Sequence, residues 1–78
     1  MMVKLEKVTA NIVERLVERD CTVYPNYHQR GTRIEIKNGI AEIIKNGKKV
    51  YTAKSPLQSW WKLLRMHKQL KGAQVLKR

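Results

Sequence analysis

A chain of 78 residues has room for one domain, and a domain this small buries roughly 60% of its unfolded surface, so its core is marginal. The formal net charge is +11, and the lone Cys21 excludes an internal disulfide and suits a reducing compartment. Lys4, Glu6 and Lys7 interrupt any signal-peptide pattern, and no apolar run approaches the ~18 residues of a membrane span, so a cytoplasmic protein without membrane contact is expected.

Residues 3–19 read as a helix. Leu5, Val8, Ile12 and Leu16 recur at three- and four-residue steps, with Val13 and Val17 widening the stripe. Asn11 with Glu14 also fits a cap, which would start the helix later, but the longer helix is the preferred reading. Cys21–Tyr24 reads as a short strand stopped by Pro25, and Cys21 as a small buried hydrophobe. Residues 25–31 form a polar loop carrying Tyr27, His28 and Arg30. Thr32–Lys37 alternates strictly, with Ile34 and Ile36 on one face.

Two Asn-Gly pairs, Asn38-Gly39 and Asn46-Gly47, signal two-residue hairpin turns, because both residues tolerate the positive φ such turns require. The turns set a register. Ile36 then faces Ala41, Ile34 faces Ile43, Lys45 faces Lys48, Ile43 faces Val50, and Ala41 faces Thr52. One face collects Ile34, Ile36, Ala41, Ile43, Val50 and Thr52. The other collects Arg33, Glu35, Lys37, Ile40, Glu42, Ile44, Lys49, Tyr51 and Ala53. Glu35 opposite Glu42 is a mildly unfavourable pair, which Arg33 and Lys37 would offset.

Ser55 reads as the cap of the last helix, with Pro56 at its first position and Gln58 completing a capping box. Leu57, Trp60, Trp61 and Leu64 share the side expected to cover the sheet, with Leu63 at its margin. Gln58, Lys62, Arg65 and Gln69 project the other way. Beyond Met66 the stripe turns polar, so the helix outruns the core or ends near Gly72, and residues 73–78 are expected to be a frayed basic tail outside a domain of residues 1–72. The resulting fold class is α+β: an N-terminal helix, a three- or four-stranded antiparallel meander, and a C-terminal helix packed on one sheet face.

The charge is one-sided. Residues 1–42 hold all six acids and seven bases, whereas residues 43–78 hold ten bases and no acid. Such a half is solvated or meets an anion, and one-sided charge is the usual footprint of a nucleic-acid binder. In the expected register Arg33, Lys37, Lys49 and Tyr51 share the outer sheet face. Lys45 and Lys48 flank the second turn, Lys54 precedes the helix, and Lys62 and Arg65 lie on its outer side. Lys45, Lys48, Lys49 and Lys54 are the leading phosphate contacts. Arg33, Tyr51 and His28 are candidates for base or groove contacts. Trp60 and Trp61 suit core packing or base stacking. No catalytic motif, metal-ligand spacing or glycine-rich phosphate loop is present, so no cofactor and no enzymatic activity are expected. His28 reads as a solvated loop residue, a nucleic-acid contact or a general base for RNA cleavage. The partner is then DNA or RNA, bound by a monomer or homodimer. The alternative is an acidic protein surface, for which Ile40 and Ile44 beside basic residues would suit.

Three resemblances follow from the element order. Pro25-Asn26-Tyr27-His28 between the first two strands and Ser55 at the last helix resemble the double-stranded RNA-binding domain, which implies duplex-RNA binding. The first turn of this last helix has no lysine cluster of that family's kind. The order also resembles HicA-type messenger-RNA-cleaving toxins, which would make His28 catalytic. It is similar as well to three-stranded-sheet DNA readers of the integrase-arm type, which would read with Arg33, Lys37, Lys49 and Tyr51.

Overall fold

The computed structural model describes residues 2–25 and 31–77. Tyr27, His28 and Arg30, with the loop contact, the general-base role and the Pro-x-His likeness assigned to them, lie outside the described residues, as does Arg78. Chain order is β1 (Met2–Lys4), α1 (Ala10–Glu18), β2 (Cys21–Tyr24), β3 (Thr32–Lys37), β4 (Ile40–Lys45), β5 (Lys48–Thr52), α2 (Pro56–Arg65), α3 (His67–Leu70) and β6 (Gln74–Lys77). The class is α+β. Among the described residues one antiparallel sheet has six strands in the order β1-β6-β2-β3-β4-β5.

The two extra strands come from the chain ends and correct the expected meander. The helix begins at Ala10, not Val3. Thr9 caps it in place of Asn11, its Oγ1 accepting the Ile12 N–H at 3.3 Å. Val8, just before the cap, packs on the core cluster that contains Val13, as a hydrophobic staple does. The released segment Met2–Lys4 pairs with β6. The expected tail is therefore an interior strand. Gln74–Lys77 pairs with β1 on one side and β2 on the other, and Val75 is 1% exposed. Leu5 extends the junction. It donates its N–H to Ala73 O at 2.8 Å, and its carbonyl accepts from Gly72 N–H at 2.6 Å.

The registry aligns one inward row across the whole sheet: Val3, Val75, Val23, Ile34, Ile43 and Tyr51. A second row places Cys21 beside Ile36 and Ala41. Val13, Leu16 and Val17 of α1, Leu63 of α2 and Leu70 of α3 join Val75, Val23, Ile34, Ile43, Cys21, Ile36 and Ala41 in one core, with Tyr51 packed against it, so the helices cover the same sheet face. Cys21 is buried, as expected of a small hydrophobe, and its thiol lies 3.7 Å from the Leu16 carbonyl.

Both Asn-Gly turns have positive φ at both residues, 54° and 79° for Asn38 and Gly39, 52° and 82° for Asn46 and Gly47. This is the twist-matched geometry two-residue hairpins favour. The β3–β4 register is the expected one at every position, including Glu35 opposite Glu42. The β4–β5 register starts as expected, with Lys45 opposite Lys48, and then breaks. Ile44 faces Lys49 and Ile43 faces Tyr51, so Val50 is an extra residue in a β-bulge. Because side-chain direction alternates with period two, one extra residue reverses every later side chain. Val50, expected inside, is 55% exposed, and Thr52 is exposed; Tyr51 and Ala53, expected outside, face the helices, and Ala53 is buried.

Helix α2 is also rotated from its expected setting. Its buried residues are Ser59 and Leu63, while Leu57 is 65% and Trp61 49% exposed. Ser59 decides the rotation. Its hydroxyl accepts the Ala41 N–H at 2.9 Å and lies 3.2 Å from the Ser55 carbonyl, to which it donates. Ala41 opposes Ile36 in the pair next to the hairpin's last hydrogen-bonded pair, so its N–H points toward β5. There its carbonyl accepts from Ala53 N–H at 2.9 Å. Beyond Thr52 the edge strand has ended, and the serine supplies the missing acceptor. Ser55 caps α2 by accepting the Gln58 N–H at 3.1 Å, and Gln58 Oε1 reaches back to the Lys54 N–H at 2.6 Å. The helix stops at Arg65, short of Gly72, and after Met66 the single turn α3 buries Leu70. No helix among the described residues is long and apolar enough to cross a membrane.

Candidate nucleic-acid interface

The bulge and the helix rotation together build one concave surface. Tyr51, turned to the helix side by Val50, lies beneath Lys62, whose Nζ stands 4.7 Å from the ring centroid. An ammonium over an aromatic face is attracted by the ring quadrupole. Trp61, turned away from the core, stands at the same place. Residues 57, 58, 61, 62 and 65 recur at one-, three- and four-residue steps, so they share one face of α2. Leu57, Gln58, Trp61, Lys62 and Arg65 from that face, with Ser55 and Tyr51, line an open groove of about 580 Å³. The lining carries two cations, two aromatic rings and no acid. Beside Trp61, Trp60 makes an edge-to-face contact at 4.9 Å between centroids and 82° between planes. Trp60 is half-buried against the core, and its Nε1–H donates to Ala10 O at 3.4 Å, which ties the start of α1 to α2.

Of the ten expected contact residues, the groove brings together Tyr51, Lys62 and Arg65. The expected outer-face set is broken up. Arg33 and Lys49 do lie on the outer face, but both are engaged by acids: Lys49 Nζ is 3.1 Å from Glu42 Oε2, and Arg33 Nε is 4.0 Å from Glu35 Oε2. The unfavourable Glu35–Glu42 pair is thus offset by Arg33 and Lys49 rather than by Arg33 and Lys37. The Thr52 hydroxyl adds a donor to Glu42 at 3.4 Å. Tyr51 is on the other side of the sheet. Lys37 is exposed at the end of β3, and Lys45 and Lys48 face each other at the exposed β4–β5 turn. Lys54 is exposed just ahead of α2. His28 lies outside the described residues.

Ile44, expected exposed, is buried, and Ile40 is half-buried. Ile44 sits on the outer face between Arg33 and Lys49, whose long stems flank it, and such stems cover apolar surface while their charged ends stay in water. The groove residues that sequence reasoning turned toward the sheet are Leu57 and Trp61. Their exposure depends on which face of α2 docks, and Ser59, whose hydroxyl meets the Ala41 N–H on that face, lies between Ser55, Pro56, Lys62 and Leu63 at helical spacing and carries no sequence signal for it. Among the described residues, no group of three His, Cys, Asp or Glu could hold a metal ion.

No protein-family model, curated protein or solved structure matches the chain.

Proposed function

We propose that the chain is a small nucleic-acid-binding protein that contacts phosphates through its acid-free C-terminal half, without catalysing a reaction on its ligand. The observation that carries this reading is the convergence of Tyr51, Trp61, Lys62 and Arg65 on one groove that contains no acid. Ten bases without an acid in residues 43–78 supply the long-range attraction, and the groove supplies a defined place of contact. Lys45, Lys48 and Lys54 remain phosphate contacts in this reading. Lys49 and Arg33 contribute less, because Glu42 and Glu35 already hold them.

The test is a binding titration at several salt concentrations with labelled DNA and RNA oligomers. The double variant Lys62→Glu/Arg65→Glu is expected to bind at least about 10-fold more weakly and to show a shallower dependence of log K on log salt. Lys49→Gln is expected to change affinity by less than about 3-fold, because the Glu42 carboxylate 3.1 Å away already offsets its charge. Unchanged affinity in the double variant refutes the site. A second reading, docking on an acidic protein, draws on the exposed Leu57 and Trp61 beside these cations. Recovery of an acidic protein after nuclease treatment, with no oligomer bound at low salt, favours it.

A further inference from the structure

We infer that the groove takes an unpaired strand, with a base stacked on Trp61 and the adjoining phosphate held by Arg65 and Lys62. This inference rests on the nucleic-acid reading above and specifies the form of ligand. Trp61 is 49% exposed on a regular helix, and the edge-to-face contact with the anchored Trp60 steadies it. A half-exposed indole held in this way offers a preformed platform for a flat apolar partner. Arg65 is four residues further along α2, so it stands directly beside Trp61 on the helix surface. Tyr51 supplies the opposite wall, with Lys62 already over its ring.

A planar π surface next to two cations matches a nucleotide, in which a base and a phosphate are linked. In a duplex the base faces are stacked on one another and only the phosphates reach such a groove. An unpaired strand presents both, and base–aromatic stacking tolerates any base. An acidic peptide would satisfy the cations. It would find a poor edge for strand addition, because β5 is an edge strand carrying Lys48, Lys49 and the Val50 bulge, features that block edge pairing.

The experiment is fluorescence anisotropy on the full chain at low salt. Its probes are a labelled oligothymidylate dodecamer, an abasic oligomer with the same number of phosphates, a matched duplex, and an oligoglutamate peptide. The proteins are the wild type, Trp61→Ala and Trp61→Phe, with circular dichroism confirming the fold of each. The dodecamer is expected to bind about 5- to 150-fold more tightly than the abasic oligomer, the range that one base–aromatic stack provides. Trp61→Ala should bring it down to the abasic level with an unchanged salt slope, and Trp61→Phe should recover part of the loss. Equal binding of the dodecamer and the abasic oligomer, preference for the duplex, or an unaffected Trp61→Ala variant would overturn the inference while leaving nucleic-acid binding intact. Binding of the oligoglutamate alone, or of none of these probes, would remove both.

Discussion

Replacing Ser59 by alanine tests how α2 is seated on the sheet. Ser59 is fully buried, and its hydroxyl is the acceptor for the Ala41 N–H at 2.9 Å. Alanine leaves that N–H inside the protein without a partner, which costs about 1–3 kcal/mol. Against this, alanine is a better helix former than serine by roughly 0.5 kcal/mol. The net loss is about 0.5–2.5 kcal/mol. With a urea m-value of about 1 kcal/mol/M for so small a chain, the unfolding midpoint should fall by about 0.5–2.5 M at unchanged m. In a thermal scan the same loss is about 2–20 °C in Tm. A midpoint within about 0.3 M of the wild type would mean that the Ala41 N–H finds another acceptor, and that apolar packing alone sets the rotation of α2.

Two further comparisons bear on the parts of the fold that differ from the sequence-based expectation. Val50→Thr should alter stability by no more than about 0.5 kcal/mol, because the bulge leaves Val50 in water. The same change at Val75, an interior position of β6, should cost about 1–3 kcal/mol for burying a hydroxyl, as read from urea midpoints. The reverse ranking would restore the unbulged register and the frayed tail. Alanine at Gly39 or Gly47 imposes a left-handed residue with a Cβ in either case, at about 1–2 kcal/mol. At Gly39 that Cβ would also stand 2.9 Å from Pro56 Cγ, whereas at Gly47 nothing lies within 4 Å. Gly39→Ala should therefore be clearly the more damaging, and equal midpoints would refute the docking of the first turn against the start of α2.

Much of this structure is legible wherever the determining interactions are local. The two Asn-Gly turns require positive φ at adjacent residues, and the alternation of Thr32–Lys37 leaves one register for the β3–β4 hairpin. Ser55, Pro56 and Gln58 satisfy the first turn of α2 with groups at most four residues away. These features depend on backbone sterics and short-range hydrogen bonds, which a sequence window contains. The acid-free half is likewise a property of the chain itself, independent of its path.

Tertiary structure decided the rest, because the partners are far apart in sequence. Nothing within Gln74–Lys77 reveals that Met2–Lys4 and Cys21–Tyr24 close on either side of it. Likewise, the pattern of Lys48–Thr52 alone favours Val50 inside, an arrangement reversed when the bulge seats Tyr51 under α2. The exposure of Trp61 follows from Ser59 meeting a backbone N–H eighteen positions earlier. The groove therefore exists only after the sheet edge and the helix have met. Tyr51, Lys62 and Arg65 were among the candidates, but their convergence with Leu57 and Trp61 is a consequence of packing, where one inserted residue or one buried hydroxyl selects which side chains share a surface.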